Sequence, residues 1–246
     1  MVSLGDIRAL DPRQLADFVK ENLPHLLEDE VLAALDNLYA TAAICQAIAQ
    51  NQRLAAFYSV RVRLVQHKHT PQAHAVKLVH YLHWPDLLRL SVDVKIPAPV
   101  RRAIDTLLEN RVDKLSIGEK IAAAKRCSAA MIKIFLFDPD PRVFASLLVN
   151  QRVREVDLLL LASSERASAE KLQILAKDTK WSYRYAIRKA LVMNPLTPRA
   201  VAASQLRFLT ARDLRDIYSN PKTSTYLRRC IERLQPEQDY NRLTDA

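Results

Sequence analysis

The chain has 246 residues, of which 49% are hydrophobic and 26% are charged, and its formal net charge is +10. It contains two glycines, Gly5 and Gly118, and phosphate-cradling loops depend on glycine, so both common nucleotide-binding loops are excluded. Three widely spaced cysteines predict reduced core thiols. No signal peptide is evident, and no apolar run approaches the roughly 20 residues that span a bilayer. We therefore expect a cytoplasmic protein without membrane contact.

The first segment, residues 1–46, differs from the rest in charge and in pattern. Residues 1–50 hold eight acidic side chains against three basic ones, which leaves about +15 on the remainder. Asp11-Pro12 and Asn22-Leu23-Pro24 interrupt helices there. This composition predicts an acidic helical cap, which repeat proteins need at their ends for solubility.

A long internal match follows the cap. Ile48–Leu107 aligns without gaps with Leu175–Leu234, at a shift of about 127 residues. The matched residues include Tyr58 with Tyr185, Arg61 with Arg188, Thr70-Pro71 with Thr197-Pro198, Asp86 with Asp213, and Arg101-Arg102 with Arg228-Arg229. A match of this length indicates an internal duplication.

Turn residues divide the duplicated region further. One class falls at His67, Asn110, Asn150 and Asn194, and the other falls near Asn51, Asp93, Asp138, Asp178 and Asn220. Each class recurs about every 40 to 45 residues, which is typical of helical-hairpin repeats. Apolar residues between the turns have helical spacing, and no stretch alternates as a strand does. The sequence predicts an all-α fold with about four to five hairpins over residues 47–234, followed by a polar tail at 235–246.

These units resemble HEAT and armadillo repeats. The resemblance depends on repeat length, helix pattern and three short pieces, which are Pro99–Ile104, Asp138–Val143 and Tyr185–Ala190. It implies an α-solenoid, a stacked superhelix with a concave face in which each repeat touches its neighbours. The stretch from Asp138 to Asn150 is about four residues shorter than its counterparts, which departs from the regular pattern.

Basic and aromatic residues supply the candidate binding surface. Repeated arginines and one aromatic segment form it: Arg61, Arg101, Arg102, Lys180, Trp181, Tyr183, Arg184, Tyr185, Arg188, Arg228 and Arg229. Arginines at one repeat position predict a stripe that pairs with phosphates or carboxylates, while the interleaved aromatics suit base stacking or peptide anchoring. The alternatives are solvated or ion-paired arginines and half-buried aromatics that close the gaps between helices.

Two further groups of polar residues recur or cluster. Five histidines lie between His67 and His83, but no motif of zinc-ligand spacing accompanies them, so we expect no metal site. Asp86 and Asp213 follow helix breaks, where a carboxylate caps a helix start. The sequence predicts no catalytic residues and no cofactor.

Three classes of function remain open. We expect a non-enzymatic scaffold that binds a protein or peptide partner, since solenoids without other motifs mostly serve that purpose. The alternative is nucleic-acid binding through a basic face with interleaved aromatics. A third reading is a HEAT-like DNA glycosylase, for which Trp181 with Asp178 is the nearest imitation of an aromatic and an acid at a damaged base.

Overall fold

The computed structural model describes residues 3–235, which divide into two compact units that meet in sequence between Lys114 and Leu115. Unit 1 precedes this point and unit 2 follows it. The described residues contain seventeen α-helices and no strand, so the all-α prediction is confirmed for them. The acidic cap at 1–46 and the repeats at 47–234 stay predictions. The polar tail at 235–246 lies outside the described residues apart from Gln235.

Unit 1 holds eight α-helices and two short 3₁₀ helices. The α-helices are α1 (Leu4–Ala9), α2 (Pro12–Asn22), α3 (Glu28–Asp36), α4 (Ala42–Gln50), α5 (Tyr58–Gln66), α6 (Gln72–Val79), α7 (Trp84–Ser91) and α8 (Ala98–Arg111). The 3₁₀ helices are Leu54–Ala56 and Val112–Lys114. Within these residues no helix is longer than α8.

Unit 2 holds nine α-helices in its described part. They are α9 (Ile117–Ala124), α10 (Ala129–Leu136), α11 (Pro141–Leu147), α12 (Glu155–Ala162), α13 (Ala169–Lys177), α14 (Tyr185–Met193), α15 (Arg199–Leu206), α16 (Ala211–Ser219) and α17 (Thr225–Leu234). Throughout residues 3–235, no helix combines the length and the apolar character needed to cross a membrane.

The two units repeat one succession of helices. Six consecutive helices of each unit begin 127 positions apart, at Glu28 and Glu155, Ala42 and Ala169, Tyr58 and Tyr185, Gln72 and Arg199, Trp84 and Ala211, and Ala98 and Thr225. The first pair extends the spacing to α3, which lies inside the segment that the sequence assigned to the cap. Helix starts after Thr70-Pro71 and Thr197-Pro198 are as predicted.

One predicted class of turn residues has a shared geometry. In each case a side-chain Oδ1 accepts a hydrogen bond from a backbone N–H two or three residues further on, which closes the turn locally. The residues are Asn51, Asp93, Asp138, Asp178 and Asn220, with distances between 2.8 and 3.2 Å. The other class is partly wrong, because Asn110 lies inside α8 and is exposed there.

Buried asparagines tie successive hairpins together. Each donates from Nδ2 to two backbone carbonyls at the end of an earlier helix, where carbonyls have no partner within the helix itself. The bonds run from Asn37 to Ile7 and Leu10, from Asn150 to Ala124 and Cys127, and from Asn194 to Ala162 and Ser164. Asn37 performs this role inside the predicted cap.

Helices in unit 2 pack mainly against the helix two places along the chain. The contacts α9 with α11 and α11 with α13 form one row, and α10 with α12 and α12 with α14 form another. Fully buried Phe135 and Phe144 lie in α10 and α11, in the core of this unit. Burying apolar side chains between the rows stabilises the unit by removing their surface from water.

Candidate functional site

Arg61 and Arg188, which share a repeat position, are both engaged inside their own unit. Each donates from Nε to a backbone carbonyl six residues earlier and also stacks on an exposed aromatic ring. The partners are Ala55 and Tyr81 for Arg61, and Ser182, at 2.8 Å, and Phe208 for Arg188. The guanidinium carbon lies 4.9 Å from the first ring centroid and 3.8 Å from the second. These arginines therefore brace turns.

The second arginine pair is divided between two environments. Arg101 donates to the carbonyl of Ile96, and Arg228 donates to the carbonyl of Asn220, both at 3.1 Å. The adjacent residues Arg102 and Arg229 are exposed. Within this pair of positions, Arg101 and Arg228 hold backbone carbonyls, and Arg102 and Arg229 face solvent; their role in binding stays a prediction.

The aromatic segment combines a buried ring with exposed ones. Trp181 is 4% exposed and belongs to the core, and the Nζ atom of Lys180 lies 4.5 Å from its ring centroid. Tyr183 is 56% exposed, and the guanidinium of Arg184 lies 5.4 Å from its ring centroid. The Asp178 carboxylate accepts the backbone amides of Lys180 and Trp181. The Trp181 ring is thus part of the core, and the Asp178 carboxylate closes a turn.

Tyr185 is anchored by a carboxylate. Its hydroxyl donates to Asp213, which also accepts from the ammonium of Lys189 at 2.7 Å. The Lys189 bond, followed by the Tyr185 bond, holds the pKa of the Asp213 carboxyl below its usual value, and the same contact raises the pKa of Lys189. Thr210 caps α16, so the prediction that Asp213 caps this helix is wrong.

Unit 1 repeats this arrangement. The Tyr58 hydroxyl donates to Asp86 at 2.5 Å, and His83, not Asp86, is the N-cap residue of α7. Both aspartates therefore accept a tyrosine hydroxyl from the preceding hairpin. The paired residues were visible in the alignment, but each hydrogen bond joins a tyrosine and an aspartate 28 positions apart in the chain, and the alignment does not show that contact.

The histidine cluster is dispersed over unit 1. His67 Nδ1 lies 3.1 Å from the Cys45 sulfur, and His69 Nδ1 lies 2.7 Å from the carbonyl of Ala40. Burial, with the nearby charges of His69 and Arg63, lowers the pKa of His67. In the part of the chain that the structure describes, no three metal-binding side chains are grouped to hold an ion.

An open groove crosses unit 2 at the carboxyl ends of α12 and α14, and we call it the unit 2 groove. Its volume is about 500 Å³. Its apolar lining comes from Leu159, Ala186, Ala190, Met193 and Pro195, and Met193 is 49% exposed. A cavity of this size with apolar walls matches the usual dimensions of ligand sites.

Polar groups surround this lining. They are Ser163, Ser164 and Glu165 after α12, Lys189 on α14, Asn194 after α14, and Asn220 with Lys222 between α16 and α17. None of the groove residues belongs to the predicted binding surface. Charge and aromatic content pointed to residues that brace turns in the structure. They gave no signal for small residues such as Ser163 and Ala190, which contribute to the groove by leaving space.

Unit 1 has a corresponding groove of about 360 Å³, lined by different side chains. A guanidinium nitrogen of Arg63 pairs with Asp36, and Arg8 approaches the same carboxylate at 3.6 Å. In unit 2, Ser163 and Ala190 stand at the positions of Asp36 and Arg63, 127 residues further on. Two short side chains of the larger unit 2 groove thus stand at the positions where an ion pair lines its counterpart.

The described residues define an all-helical protein in which two units repeat one succession of helices. No family model, curated protein or solved structure matches this chain. Its function is therefore inferred from its own residues and their geometry.

Proposed function

We propose that this chain is a non-enzymatic scaffold that binds an extended segment of a partner protein in the unit 2 groove. The proposal includes the α-solenoid of about four to five HEAT-like hairpins that the sequence resemblance implies. Two findings support that architecture: six helix starts recur at one spacing, and neighbouring hairpins of unit 2 contact each other in two rows.

The observation that carries the proposal is the pair Ser163 and Ala190. These residues replace an ion pair by a serine and a methyl group, and the resulting groove has apolar walls that include exposed Met193. Methionine adapts its shape to different apolar side chains, which suits a surface that receives a peptide. An apolar groove with a polar rim is the usual anatomy of a peptide site.

The arginine contacts also favour a protein partner. A guanidinium that donates to a backbone carbonyl and stacks on a ring has fewer donors for phosphate. Arg61 and Arg188 are held in this way, and Arg101 and Arg228 donate to carbonyls. The repeated arginines therefore contribute to folding more than to a continuous phosphate-binding stripe.

The test is selection of random peptides displayed on phage against the whole protein, followed by affinity measurement on the selected peptides. The blocking variant is Ser163→Asp/Ala190→Arg, which copies the Asp36 and Arg63 pair of unit 1 and so introduces a side-chain arrangement that this fold already contains. We expect peptides with apolar residues that bind at micromolar Kd, and we expect the blocking variant to weaken them at least about tenfold.

The matched control is Ser204→Asp/Ala130→Arg, which makes the same chemical changes at two exposed positions outside the groove. It should bind like the wild type. Equal binding by wild type and blocking variant, with unchanged circular dichroism, would refute the unit 2 groove as the site.

Nucleic-acid binding is the second candidate, and one observation favours it. Lys180, Tyr183 and Arg184 are all exposed, and the guanidinium of Arg184 lies over the Tyr183 ring and 4.0 Å from the carboxylate of Glu155. Such a combination stacks bases and pairs with phosphates. The site is small, because the neighbouring ring of Trp181 is buried.

Anisotropy of labelled single-stranded and duplex DNA and RNA across a salt series tests this candidate. Lys180→Glu/Arg184→Glu should remove binding and its salt dependence if the exposed corner is the site. Lys125→Glu/Arg126→Glu makes the same charge change at another exposed pair. Equal loss in both variants would indicate net charge alone, and absence of binding at low salt would exclude the candidate.

A further inference from the structure

A second cavity adjoins the unit 2 groove and differs from it in chemistry. Its volume is about 140 Å³, and it lies between the α14–α15 turn and the α16–α17 turn. The groove and this cavity share five lining residues, Met193, Asn194, Pro195, Asn220 and Lys222. A ligand in the apolar groove can therefore extend into the second cavity, which we call the polar cavity.

Charge in the polar cavity is of one sign. Arg199 and Lys222 line it, both are exposed, and no aspartate or glutamate is among its lining residues. Within residues 3–235 neither side chain forms an ion pair or a hydrogen bond. Two cations without a carboxylate between them create a local positive potential that favours an anionic group.

Two helix amino ends also border the polar cavity. The helix α15 begins there at Arg199 after Thr197 and Pro198, and α17 begins there after its cap Ser224. The first N–H groups of a helix have no partner inside the helix, and they carry partial positive charge. Both helices therefore reinforce the field of the two cations.

The hydroxyl of Thr197 is an unpartnered polar group in the wall of the polar cavity. Thr197 is 6% exposed and lines the polar cavity, and its Oγ1 atom has no hydrogen-bond partner in the described structure. Leaving a buried hydroxyl unsatisfied costs about 1–3 kcal/mol. A ligand oxygen in the cavity is a suitable partner for this group, because the hydroxyl both donates and accepts.

Unit 1 keeps two parts of this arrangement, Lys95 in place of Lys222 and Thr70 in place of Thr197, and the Oγ1 atom of Thr70 likewise has no hydrogen-bond partner in the described structure. It differs at three other positions. Gln72 stands in place of Arg199, Asp93 in place of Asn220, and Pro97 in place of Ser224. The exchange of Asn220 for an aspartate preserves the turn, since Oδ1 of Asp93 accepts the amide of Lys95 at 2.9 Å, as Oδ1 of Asn220 accepts that of Lys222. The cation Arg199 and the uncharged Asn220 therefore distinguish the unit 2 positions from their unit 1 counterparts, Gln72 and Asp93.

We propose that the polar cavity binds the carboxylate of an acidic side chain in the partner segment. The segment would place an apolar side chain in the unit 2 groove and an aspartate or glutamate against Arg199 and Lys222. This inference rests on the proposed function, because the cavity specifies which segments the groove accepts. Charge complementarity selects the occupant, since every charged group that lines the polar cavity is cationic.

The experiment uses one acidic peptide obtained by the phage selection and its partner in which that acidic residue is replaced by the matching amide. Both are measured against the whole protein and against Arg199→Gln/Asn220→Asp, which copies unit 1. We expect the variant to weaken the acidic peptide about tenfold or more, and to change the amide peptide less than about twofold. Circular dichroism and thermal unfolding confirm that the variant folds.

The outcomes separate this inference from the proposed function. Selected peptides that Ser163→Asp/Ala190→Arg blocks, but that bind equally well with the acid or the amide, overturn the acidic specificity and leave the groove intact. A preference for a free peptide carboxyl terminus or for a phosphorylated residue over the internal acid also overturns it. If the peptides bind only to a variant that ends at Gln235, the chain's own tail occupies the site, and the inference of a partner segment is overturned.

Discussion

Asn194→Ala is expected to destabilise unit 2 by about 3 kcal/mol. The Asn194 side chain donates to the carbonyls of Ala162 at 2.7 Å and Ser164 at 3.1 Å, and it accepts the amide of Leu196 at 2.9 Å. It is 7% exposed, so water replaces these contacts poorly. Each hydrogen bond contributes about 1 kcal/mol net, and the variant loses all three.

Each unit contains one tryptophan, which allows the two units to be followed separately. Trp84 lies in unit 1 and Trp181 in unit 2. In a Trp84→Phe background, urea unfolding monitored by fluorescence reports on unit 2. With a slope of about 2 kcal/mol per molar urea, a loss of about 3 kcal/mol lowers the midpoint by about 1.5 M.

Asn110→Ala is the matched control, because it makes the same change at an exposed helical position. It should alter the stability of unit 1, followed by Trp84 in a Trp181→Phe background, by no more than about 0.5 kcal/mol. If Asn194→Ala lowers the unit 2 midpoint no further than Asn110→Ala lowers that of unit 1, the buried asparagines do not hold successive hairpins together.

Three further outcomes follow from the described contacts. Lys189 holds the pKa of Asp213 low, so their contact stabilises unit 2 above the ordinary carboxyl range, and this stability is lost as pH falls through the lowered pKa. In Lys189→Met, the urea midpoint of unit 2 should therefore fall less steeply with decreasing pH than in the wild type. At about pH 8, half-buried Cys230 should react with a disulfide reagent before the two buried cysteines, as mass spectrometry of the labelled protein can check. Asp36→Ser/Arg63→Ala removes the ion pair from the unit 1 groove but supplies neither Arg199 nor Met193, so the peptide stoichiometry measured by calorimetry should stay at one, whereas a stoichiometry of two would show that the ion pair alone keeps the peptide out of unit 1.

Much of the fold followed from local signals in the sequence. Proline, serine, threonine and aspartate mark helix starts because their preferences act within one turn of the chain. The Asx turns at Asp93 and Asn220 are of this kind, and the alignment predicted both. The prediction of a turn at Asn110 was wrong because an isolated asparagine is also tolerated on an exposed helix face. Residue spacing alone does not distinguish an asparagine in a turn from one in a helix.

The candidate site followed from the sequence far less well. Arginine and tyrosine are residue types that commonly bind ligands. In unit 2, however, Arg188 donates a hydrogen bond to the carbonyl of Ser182, and Tyr185 donates one to the carboxylate of Asp213. Whether a cation faces solvent or a carbonyl depends on contacts between elements distant in sequence, and charge patterning does not report them.

The duplication separates what the fold requires from what the function adds. Both units keep the Asx turns, the tyrosine–aspartate contacts and the braced arginines, so these features belong to the shared architecture. The grooves differ instead at most of their lining positions, and among these differences Ser163, Ala190, Arg199 and Asn220 alter space and charge while the helix starts keep their common spacing. Differences that leave the backbone succession unchanged are free to serve binding, and this is why unit 1 supplies the variants that test unit 2.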